Sequence, residues 1–464
     1  MIGNATVPLL TLHGLVTVGA VLCYVITSHV MHQRRHPAAA IAWMLFILLL
    51  PYLALPAFLM FGSRKLARPR GSSPRVPPAT HTSRSWAVQT ILALGGPTPA
   101  AYCDLRLHAD GRAARDALFA VIDAARQSID LCIFILARDA LGQAVLERLI
   151  AKARSGVRVR LLLDGAGILM ARRPRLRPLL DAGAAYTLFV PPLLSPVRGA
   201  SNLRNHRKML IADAEHEGAK LWCGGRNLAE EYFAGHARQA PWRDLTFDVG
   251  GPLVQQAQAL FNADWAFANG QPLAPIGLAD ATIPSAIEGA QLIASGPDQL
   301  DDTVYAMLVT AAYRARHRIA LVTPYFVPDP ALLMALCLAA RRGVTVDLLL
   351  PERSNHRLSD LARARALRTL VQAGGRVWLA PHMVHAKLAV IDDELALAGS
   401  ANLDTRSLFM NYELMMAFHA RADVQGFGSW FAIERSTAHA YTATRPGLLR
   451  DVGEGMLLWL AFQL

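Results

Sequence analysis

The sequence predicts an α/β fold in which two similar lobes, each with a mainly parallel sheet, surround one site near a pseudo-twofold axis. Helical patterns alternate with short β-branched runs along most of the chain, which is typical of strands joined by helices. From about residue 100 onward, the second half of the chain repeats the pattern of the first half. Two apolar segments precede this repeat, and neither contains an acidic residue.

Charge and hydrophobicity narrow the class of partner. The chain of 464 residues carries a formal net charge of +12, which favours an anionic partner such as nucleic acid or an acidic membrane surface. Hydrophobic residues make up 53% of the chain, whereas a soluble nucleic-acid-binding protein is usually more polar. We therefore expect a membrane with its anionic lipids as the partner, and no nucleic acid.

The amino-terminal segments have the composition of membrane helices. Residues 7–28 include no Asp, Glu, Lys or Arg and are about as long as a bilayer-spanning helix requires. A second apolar run covers residues 38–61, where Pro51 and Pro56 are expected to kink or interrupt it. Basic residues crowd the exit of the second run, so the positive-inside rule places the body of this multi-pass protein on the cytoplasmic side.

Composition and the repeat divide the chain into six parts. They are a membrane anchor at 1–62, a linker rich in Pro, Arg and Ser at 63–99, a first lobe at 100–267, an inter-lobe linker at 268–297, a second lobe at 298–442 and an apolar tail at 443–464. The five cysteines are scattered and none forms C-x-x-C, which indicates reduced packing residues instead of disulfides or a zinc site. We expect no metal and no cofactor.

The most specific motif is H-x-K, then four residues and Asp, and each lobe contains one copy. The copies consist of His206, Lys208 and Asp213 in the first lobe and His385, Lys387 and Asp392 in the second. In a strand, positions i and i+2 project to the same face, so each copy places an imidazole beside an ammonium group. Two such pairs facing each other would form a pocket for a phosphate diester.

Matching residues follow each copy of the motif. A Gly-rich turn ends in Asn227 in the first lobe and in Asn402 in the second, and a carboxylate, Asp244 or Glu413, then opens the next strand. Lysine usage strengthens the pattern, because the chain contains only five lysines and two of them belong to the H-x-K pairs. A lysine ammonium is a compact charge that can contact a single phosphate oxygen.

At these residues the chain resembles the phospholipase D superfamily, and within it the bacterial cardiolipin synthases. The resemblance covers nearly the whole chain and includes the following segments: Asn205–Lys208, Gly224–Leu228, Trp242–Asp244, Pro324–Pro328, Gly399–Asp404, Arg406–Ser407 and Asn411–Glu413. Two phospholipase D-like lobes are the fold that it implies. One H-x-K motif is a weak signal, but two copies with matched Asn and carboxylate residues are a strong one.

The resemblance also implies roles for these residues. By resemblance His206 attacks phosphorus to form a phosphohistidine, and His385 is the general acid and base. The two lysines, with Asn227 and Asn402, would hold the non-bridging phosphate oxygens, and Asp244 and Glu413 would each orient an imidazole. Asp213 and Asp392 belong to the signature, although their place at strand ends favours a bracing role. The Ser400 hydroxyl has no counterpart in the first lobe, because Gly225 occupies the matching position.

The family implies transfer of a phosphatidyl group between two phosphatidylglycerol molecules, giving cardiolipin and glycerol at the bacterial inner membrane. A phospholipase D-type phosphodiesterase that uses water, or a transphosphatidylase with another alcohol, remains an alternative. A non-catalytic lipid-binding protein would predict decay of one motif, and both are intact. Two apolar stretches, 190–194 and 325–328, are expected to limit the access of water to the intermediate. Asn355-His356 departs from the family's usual Asp-His.

Overall fold

The computed structural model describes residues 3–30, 37–61, 85–171, 174–190, 203–235, 240–271, 289–299, 301–447, 451 and 453–455. The amino-terminal part forms helices α1 (Gly3–Val30), α2 (Pro37–Leu49) and α3 (Pro51–Phe61). The second apolar run is interrupted at Pro51, as predicted, because proline lacks the N–H that an unbroken helix needs, whereas Pro56 lies inside α3 and does not end the helix. Within the described residues, no helix is both long and apolar enough to cross a membrane.

Helix α4 (Trp86–Ala93) lies inside the predicted linker 63–99. Its Ala87 and Ile91 are buried in the core of the second lobe, and the Trp86 indole donates a hydrogen bond to Glu394 Oε2 at 2.6 Å. The linker prediction is therefore wrong for this helix, whose apolar face needs a partner surface. The part of the linker at 62–84 lies outside the described residues.

The first lobe contains a seven-stranded sheet with the strand order β1-β8-β7-β6-β2-β3-β4. Its elements are β1 (Cys103–Leu107), α5 (Gly111–Ala124), β2 (Ser128–Ile133), α6 (Ala140–Arg154), β3 (Arg158–Leu163), α7 (Gly165–Met170), α8 (Arg177–Asp181), β4 (Ala185–Leu188), β5 (Arg204–Asn205), β6 (Met209–Ala212), β7 (Lys220–Gly224), a 3-10 helix (Glu230–Tyr232), β8 (Thr246–Gly250) and α9 (Leu253–Ala268). Asp110, Asp139 and Asp164 cap α5, α6 and α7 by accepting backbone N–H groups, which explains where these helices begin.

The second lobe repeats this arrangement in the order β18-β13-β12-β10-β14-β15-β17-β5, with β9 also pairing with β17. Its elements are β9 (Ala290–Ser295), α10 (Thr303–Arg314), β10 (Arg318–Val322), β11 (Phe326–Val327), α11 (Pro330–Arg341), β12 (Thr345–Pro351), α12 (Arg357–Gln372), β13 (Arg376–Ala380), β14 (Leu388–Ile391), β15 (Leu395–Gly399), β16 (Leu403–Asp404), α13 (Thr405–Phe409), β17 (Asn411–Phe418), α14 (Arg421–Ser436) and β18 (His439–Ala440). The order β7-β6-β2-β3-β4 corresponds to β15-β14-β10-β12-β13, so the predicted two-lobed α/β repeat is confirmed.

Both sheets are mixed, and the prediction of mainly parallel sheets is wrong. Strands β2, β3 and β4 are parallel, as are β10, β12 and β13, but β6, β7, β8 and their counterparts β14, β15 and β17 pair antiparallel. Short turns join β6 to β7 and β14 to β15, and a short turn can connect only antiparallel strands. Each H-x-K strand is therefore followed by a hairpin partner and not by a crossover helix.

Two more predicted boundaries differ from the structure. The predicted inter-lobe linker 268–297 includes β9, which pairs with β17 and so belongs to the second sheet; residues 272–288 lie outside the described residues. In the predicted tail 443–464, the described residues Asp451 and Glu454 contact Arg365 and Arg368 of α12, and most of the remainder is outside the described part.

The lobes are tied together by a buried arginine from within the first H-x-K motif. Arg207 is fully buried and forms an ion pair with Asp264 of α9. Its guanidinium also donates hydrogen bonds to the backbone oxygens of Glu413, at 3.1 Å, and Ser295, at 3.2 Å, in the second lobe. Strand β5 extends the second sheet by pairing with β17, so the chain of one lobe enters the sheet of the other.

Removal of one partner from this buried pair should destabilise the body strongly. We expect Asp264→Ala to lower the free energy of unfolding by about 3 to 5 kcal/mol, because it leaves the Arg207 charge buried without its carboxylate. The midpoint of thermal unfolding in detergent would measure this change. As a control, Asp393→Ala removes an exposed partner of Arg421 and should leave the midpoint nearly unchanged. Equal effects of the two substitutions would contradict this role for Arg207.

Candidate active site

Both H-x-K motifs lie at corresponding edges of the two sheets. Strand β6 runs antiparallel to β2, so His206 and Lys208, at its amino end, are placed at the carboxyl edge of β2 and β3. The same relation between β14 and β10 places His385 and Lys387 at the carboxyl edge of β10 and β12. These two edges face each other across the contact between the lobes, so all four side chains predicted to act on phosphate meet in one place.

Each histidine is held by a carboxylate from the opposite lobe. Nδ1 of His206 lies 3.0 Å from Oε1 of Glu413, and Nδ1 of His385 lies 2.8 Å from Oδ2 of Asp244. A carboxylate can only accept, so each Nδ1 carries the proton and each Nε2 is left with a lone pair. The sequence predicted that these carboxylates orient imidazoles but did not reveal that they do so across the lobes.

The backbone N–H groups of the two histidines also form hydrogen bonds that cross from one lobe to the other. The N–H of His206 donates to the oxygen of Tyr412 at 2.9 Å, and the N–H of His385 donates to the oxygen of Arg243 at 2.7 Å. Tyr412 and Arg243 directly precede the two carboxylates. Each lobe thus positions both the backbone and the ring of the other lobe's histidine, which is the reciprocal pattern that a pseudo-twofold axis produces.

Glu413 is fully buried and held by three further side chains. The hydroxyls of Ser400 and Ser407 each donate to one carboxylate oxygen at 2.5 Å, and the Asn411 amide lies 3.3 Å from Oε1. Burial alone would raise the pKa of this carboxyl, but His206, Lys208 and the Ser400 hydroxyl lower it. Glu413 is therefore an anion. Sequence reasoning assigned no role to Ser407 or Asn411, although both lie in segments that carry the family resemblance.

The difference between Gly225 and Ser400 has a steric cause. A Cβ atom at Gly225 would lie 2.3 Å from Oδ1 of Asp244, so a serine cannot occupy this turn beside that carboxylate. This clash explains the prediction that only the second lobe has a hydroxyl at this position. Ser400 contacts Glu413 and the backbone of Leu414, so its hydroxyl supports the carboxylate in the described structure.

Both lysines of the motif are buried, and burial lowers the pKa of each. The pKa of Lys208 is lowered to about 8 and that of Lys387 to about 7, with desolvation as the main cause. Nζ of Lys208 donates to the backbone oxygen of His206 at 2.6 Å, and Nζ of Lys387 lies 2.7 Å from Nδ1 and 3.1 Å from Nε2 of His385. The ammonium groups thus border the two imidazoles, where a bound phosphate would compensate their desolvation.

Burial also lowers the pKa of both imidazoles. The pKa of His385 is lowered to about 3 by burial and then by the charge of Lys387. For His206 the same two influences, burial and Lys208, lower the pKa while Glu413 opposes them. Both rings are therefore neutral near pH 7 in the empty site. A histidine that attacks phosphorus must be neutral. A histidine that acts as a general acid must carry a second ring proton, which a nearby negative charge helps it to hold.

The two motif asparagines have different surroundings. Asn227 accepts the N–H of Ile135 at 3.2 Å and donates to the hydroxyl of Tyr232 at 2.9 Å, so both ends of its amide are occupied. Asn402 has a buried Oδ1 with no hydrogen-bond partner among the described residues. The sequence predicted equivalent roles for the two asparagines, but their hydrogen-bond partners differ in the structure.

Asp213 and Asp392 lie at the far ends of the motif strands and do not touch the histidine pairs. Asp213 accepts backbone N–H groups of residues 126, 127 and 128, and Asp392 accepts those of residues 316, 317 and 318. Six residues, four of them in strand, lie between each aspartate and its histidine, which separates the two by roughly 20 Å. These contacts favour the predicted bracing role over direct participation in catalysis.

Aromatic side chains enclose the imidazoles. Tyr232 and Tyr325 pack edge-on against His385, with ring centroids at 5.1 Å and 6.4 Å, and Phe134 packs edge-on against His206 at 5.1 Å. Tyr325 belongs to the second apolar stretch predicted to limit water; of the first stretch, residues 191–194 lie outside the described residues. No group of three or more His, Cys, Asp or Glu side chains suited to a metal occurs within the described ranges.

Known families and curated proteins match most of the chain. The family described as "Cardiolipin synthase, PLD-like domain" matches residues 118–265 and 308–434, and the family "Phospholipase D-nuclease N-terminal" matches residues 18–63. Cardiolipin synthase A of Pseudomonas putida (strain W619) is 33% identical over 409 residues, 84% of each chain. Cardiolipin synthase A of Pseudomonas fluorescens (strain Pf-5) is 34% identical over 409 residues, again 84% of each chain.

The fold has a counterpart among solved structures. Phosphatidylserine synthase of Haemophilus influenzae Rd KW20 superposes with a TM-score of 0.64 at 12% identity, covering 82% of this chain and 99% of that one. At this identity the likeness concerns the two-lobed fold alone. The resemblance noted from the motifs is thereby confirmed: the chain belongs to the PLD-like cardiolipin synthase family of the phospholipase D superfamily.

Proposed function

We propose that the chain is a membrane-bound phosphatidyltransferase that converts two phosphatidylglycerol molecules into cardiolipin and glycerol. The crossed pairing of His206 with Glu413 and of His385 with Asp244 carries the proposal. It leaves Nε2 of both imidazoles for one phosphodiester, beside the ammonium groups of Lys208 and Lys387. Family membership and the names of its relatives supply the substrate class.

In the first step, Nε2 of His206 attacks the phosphorus of the donor lipid. An N–P bond forms, the P–O bond to the head-group glycerol breaks, and His385 gives its Nε2 proton to the departing glycerol oxygen. The negative charge of the bound phosphate raises the pKa of His385 and allows this proton to be held. In the second step His385 takes the proton from the hydroxyl of the acceptor lipid, whose oxygen displaces His206 from phosphorus.

The assignment of His206 as the nucleophile rests on its surroundings. Its side chain is 12% exposed, against 4% for His385, so it is the more accessible ring. Glu413, held by two serine hydroxyls, fixes the ring and stabilises the positive charge of a phosphohistidine. The ammonium groups of Lys208 and Lys387 neutralise the phosphate oxygens as charge develops, the amide NH2 of Asn402 donates to one of these oxygens, and Asn227 supports the turn.

The amino-terminal part is proposed to hold the body at the inner membrane in a multi-pass arrangement, with the body on the cytoplasmic side. Its support is the apolar sequence of the two runs, the basic residues that follow the second run, and the match of residues 18–63 to the amino-terminal family. The proposed partners are anionic phospholipids, namely phosphatidylglycerol and cardiolipin.

Loss of either crossed carboxylate should reduce turnover without unfolding the body. Glu413→Gln and Asp244→Asn keep the side-chain size but destabilise the tautomer that leaves Nε2 unprotonated, so kcat should fall at least about a hundredfold. KM should change little, because neither carboxylate contacts substrate. Thermal unfolding serves as the control for folding, and a kcat within about threefold of wild type would contradict the positioning role.

The pH profile of kcat/KM should be bell-shaped with limbs set by different residue types. On the acid side the rate falls as His206 is protonated, at a pH below the ordinary histidine value of 6.5 because its pKa is lowered. On the basic side the rate falls as the ammonium groups are lost, between about pH 7 and 8. Initial rates at low substrate concentration across about pH 5 to 9.5 measure both limbs. An unchanged rate up to about pH 9.5 would rule out the lowered lysine pKa values.

The nucleophile and the reaction can be tested together. With phosphatidylglycerol labelled in its phosphatidyl part, His206→Ala should trap no labelled protein, whereas His385→Ala should trap some when the leaving alcohol is activated. Equal trapping by both variants would overturn the assignment. Mass spectrometry of the wild-type products distinguishes the reactions: cardiolipin supports the proposal, and phosphatidic acid as the main product would favour a phosphodiesterase.

A further inference from the structure

Exposed apolar side chains occur in corresponding segments of the two lobes. Leu169 and Met170, at the end of α7, are 45% and 65% exposed. Leu358 and Leu361, in the first turns of α12, are 50% and 51% exposed. A single exposed leucine is ordinary, but matched pairs on repeated segments indicate a surface with a partner. These four side chains are termed the apolar rim.

The apolar rim emerges from the edge of each sheet that carries the H-x-K motif. Helix α7 follows β3 and helix α12 follows β12, and these strands occupy corresponding places beside β2 and β10. Since each motif strand runs antiparallel to its neighbour, its histidine lies at the carboxyl edge from which the rim segment leaves. The rim therefore starts at the site edge in both lobes.

Direct contacts connect both rim segments to the site. Asp164, which caps α7, accepts the N–H of Asn205 at 2.8 Å, and Asn205 directly precedes His206. In the other lobe the Tyr325 hydroxyl donates to Asn355 at 2.6 Å, two residues before α12, and the same ring packs against His385. Each rim segment is thus hydrogen-bonded to a residue that adjoins a motif histidine, in sequence for Asn205 and by ring contact for Tyr325.

The pseudo-twofold relation places both segments on the same face of the body. A twofold rotation changes position around its axis but leaves the height along the axis unchanged. Elements that correspond under this rotation therefore reach the same height, on opposite sides of the axis. Because the two histidines also flank this axis, the rim pairs lie on either side of the site that the histidines share.

Charged residues beside the rim fit an anionic surface. Arg353 and Arg357 are exposed next to Leu358, and Arg175 and Arg177 are exposed just after α7. The neighbouring acids are Glu352, which is exposed, Asp360, which pairs with Arg363, and Asp181, which pairs with Arg177. Apolar side chains flanked by arginines are the composition of segments that bind at the interface of anionic membranes.

We propose that the apolar rim docks the body on an anionic lipid bilayer with the site facing the lipid. The inference rests on the proposed function in that the substrates are phospholipids of that bilayer. The rim inserts among the head groups on both sides of the site, and donor and acceptor lipids enter between its two halves. Water meets the phosphohistidine less often because the bilayer covers the site.

The segment at 62–84, which follows the amino-terminal helices and precedes the body in the chain, cannot by itself fix this orientation. The described body begins at α4, whose Trp86 contacts Glu394 in the turn between β14 and β15, at the edge away from the site. The 23 residues at 62–84 could span at most roughly 80 Å, so they allow either edge to approach the membrane. Contact between the apolar rim and the lipid would favour approach of the site edge to the membrane over approach of the edge that carries Trp86.

Activity on two forms of one substrate tests the docking in the full chain. The variant Leu169→Glu, Met170→Glu, Leu358→Glu, Leu361→Glu should lose at least about tenfold of its rate with phosphatidylglycerol in proteoliposomes. It should keep the wild-type rate with a short-chain phosphatidylglycerol below its micelle concentration. Tyr313→Glu is the matched control, because Tyr313 is 52% exposed at the end of α10, at the edge away from the site. Equal losses with both substrates, or no loss with either, would overturn the proposal.

A label reports the position of the rim without using catalysis. Leu361→Cys and Tyr313→Cys, each in full-length protein with Cys23→Ser and Cys103→Ser, receive an environment-sensitive fluorophore and are placed in proteoliposomes with nitroxide lipids. The expected result is quenching at residue 361 and none at residue 313. Quenching only at residue 313 would mean that the edge that carries Trp86 faces the bilayer. Apolar emission at residue 361 without quenching would mean that the chain itself covers the rim, and either outcome contradicts the docking.

The two proposals can fail separately. If wild-type protein forms no cardiolipin from either substrate while residue 361 is quenched, the proposed function fails and the docking surface stands. If cardiolipin forms from both substrates while residue 361 remains in water, the function stands and the docking is wrong.

Discussion

The exchange of carboxylates between the lobes is the constraint on which the rest of the structure depends. His206 is oriented by Glu413 and His385 by Asp244, so neither lobe alone contains a correctly held imidazole. The lobes must therefore be docked with side-chain accuracy before either histidine can act. The pairing of β5 with β17 and the buried Arg207 meet this requirement, since both carry the chain of the first lobe into the second. Duplication here produces one site and not two.

Burial supplies the reactivity of this site as well as its geometry. Removal from water lowers the pKa of both lysines and both histidines, so the empty site resists holding positive charge. A phosphodiester brings negative charge to the two lysines and His385, and its binding favours their protonated forms, whereas His206 must stay neutral to attack phosphorus. The site is thereby complementary to an anion whose charge increases in the transition state, and less so to a neutral ligand or to water. The negative charges of Glu413 and Asp244 offset part of the positive charge of the lysines and histidines in the site.

The sequence predicted the parts that depend on local order along the chain. The repeat, the α/β class, the two H-x-K pairs and the bracing position of Asp213 and Asp392 all follow from spacing and periodicity. Strand direction could not be predicted, because alternation gives the face of a strand and not its polarity. The crossed pairing could not be predicted either, since each carboxylate stands at the same place in its own repeat and sequence order is identical for both pairings. The support of Glu413 by Ser407 depends on a tertiary turn that spacing does not encode.

Departures from the repeat explain how a nearly symmetric site can divide two chemical tasks. Asp244 is short and lies against Gly225, where no side chain fits, whereas Glu413 is held by two serine hydroxyls. A carboxylate held on both oxygens fixes its imidazole in one orientation, which suits in-line attack on phosphorus. His385 lies beside Lys387 and has the lower exposure, so its proton affinity depends strongly on the charge of the bound phosphate. That dependence suits a group that must release a proton to one alcohol and take one from the next. The asymmetry of the support, more than that of the motifs themselves, is therefore what favours the proposed roles.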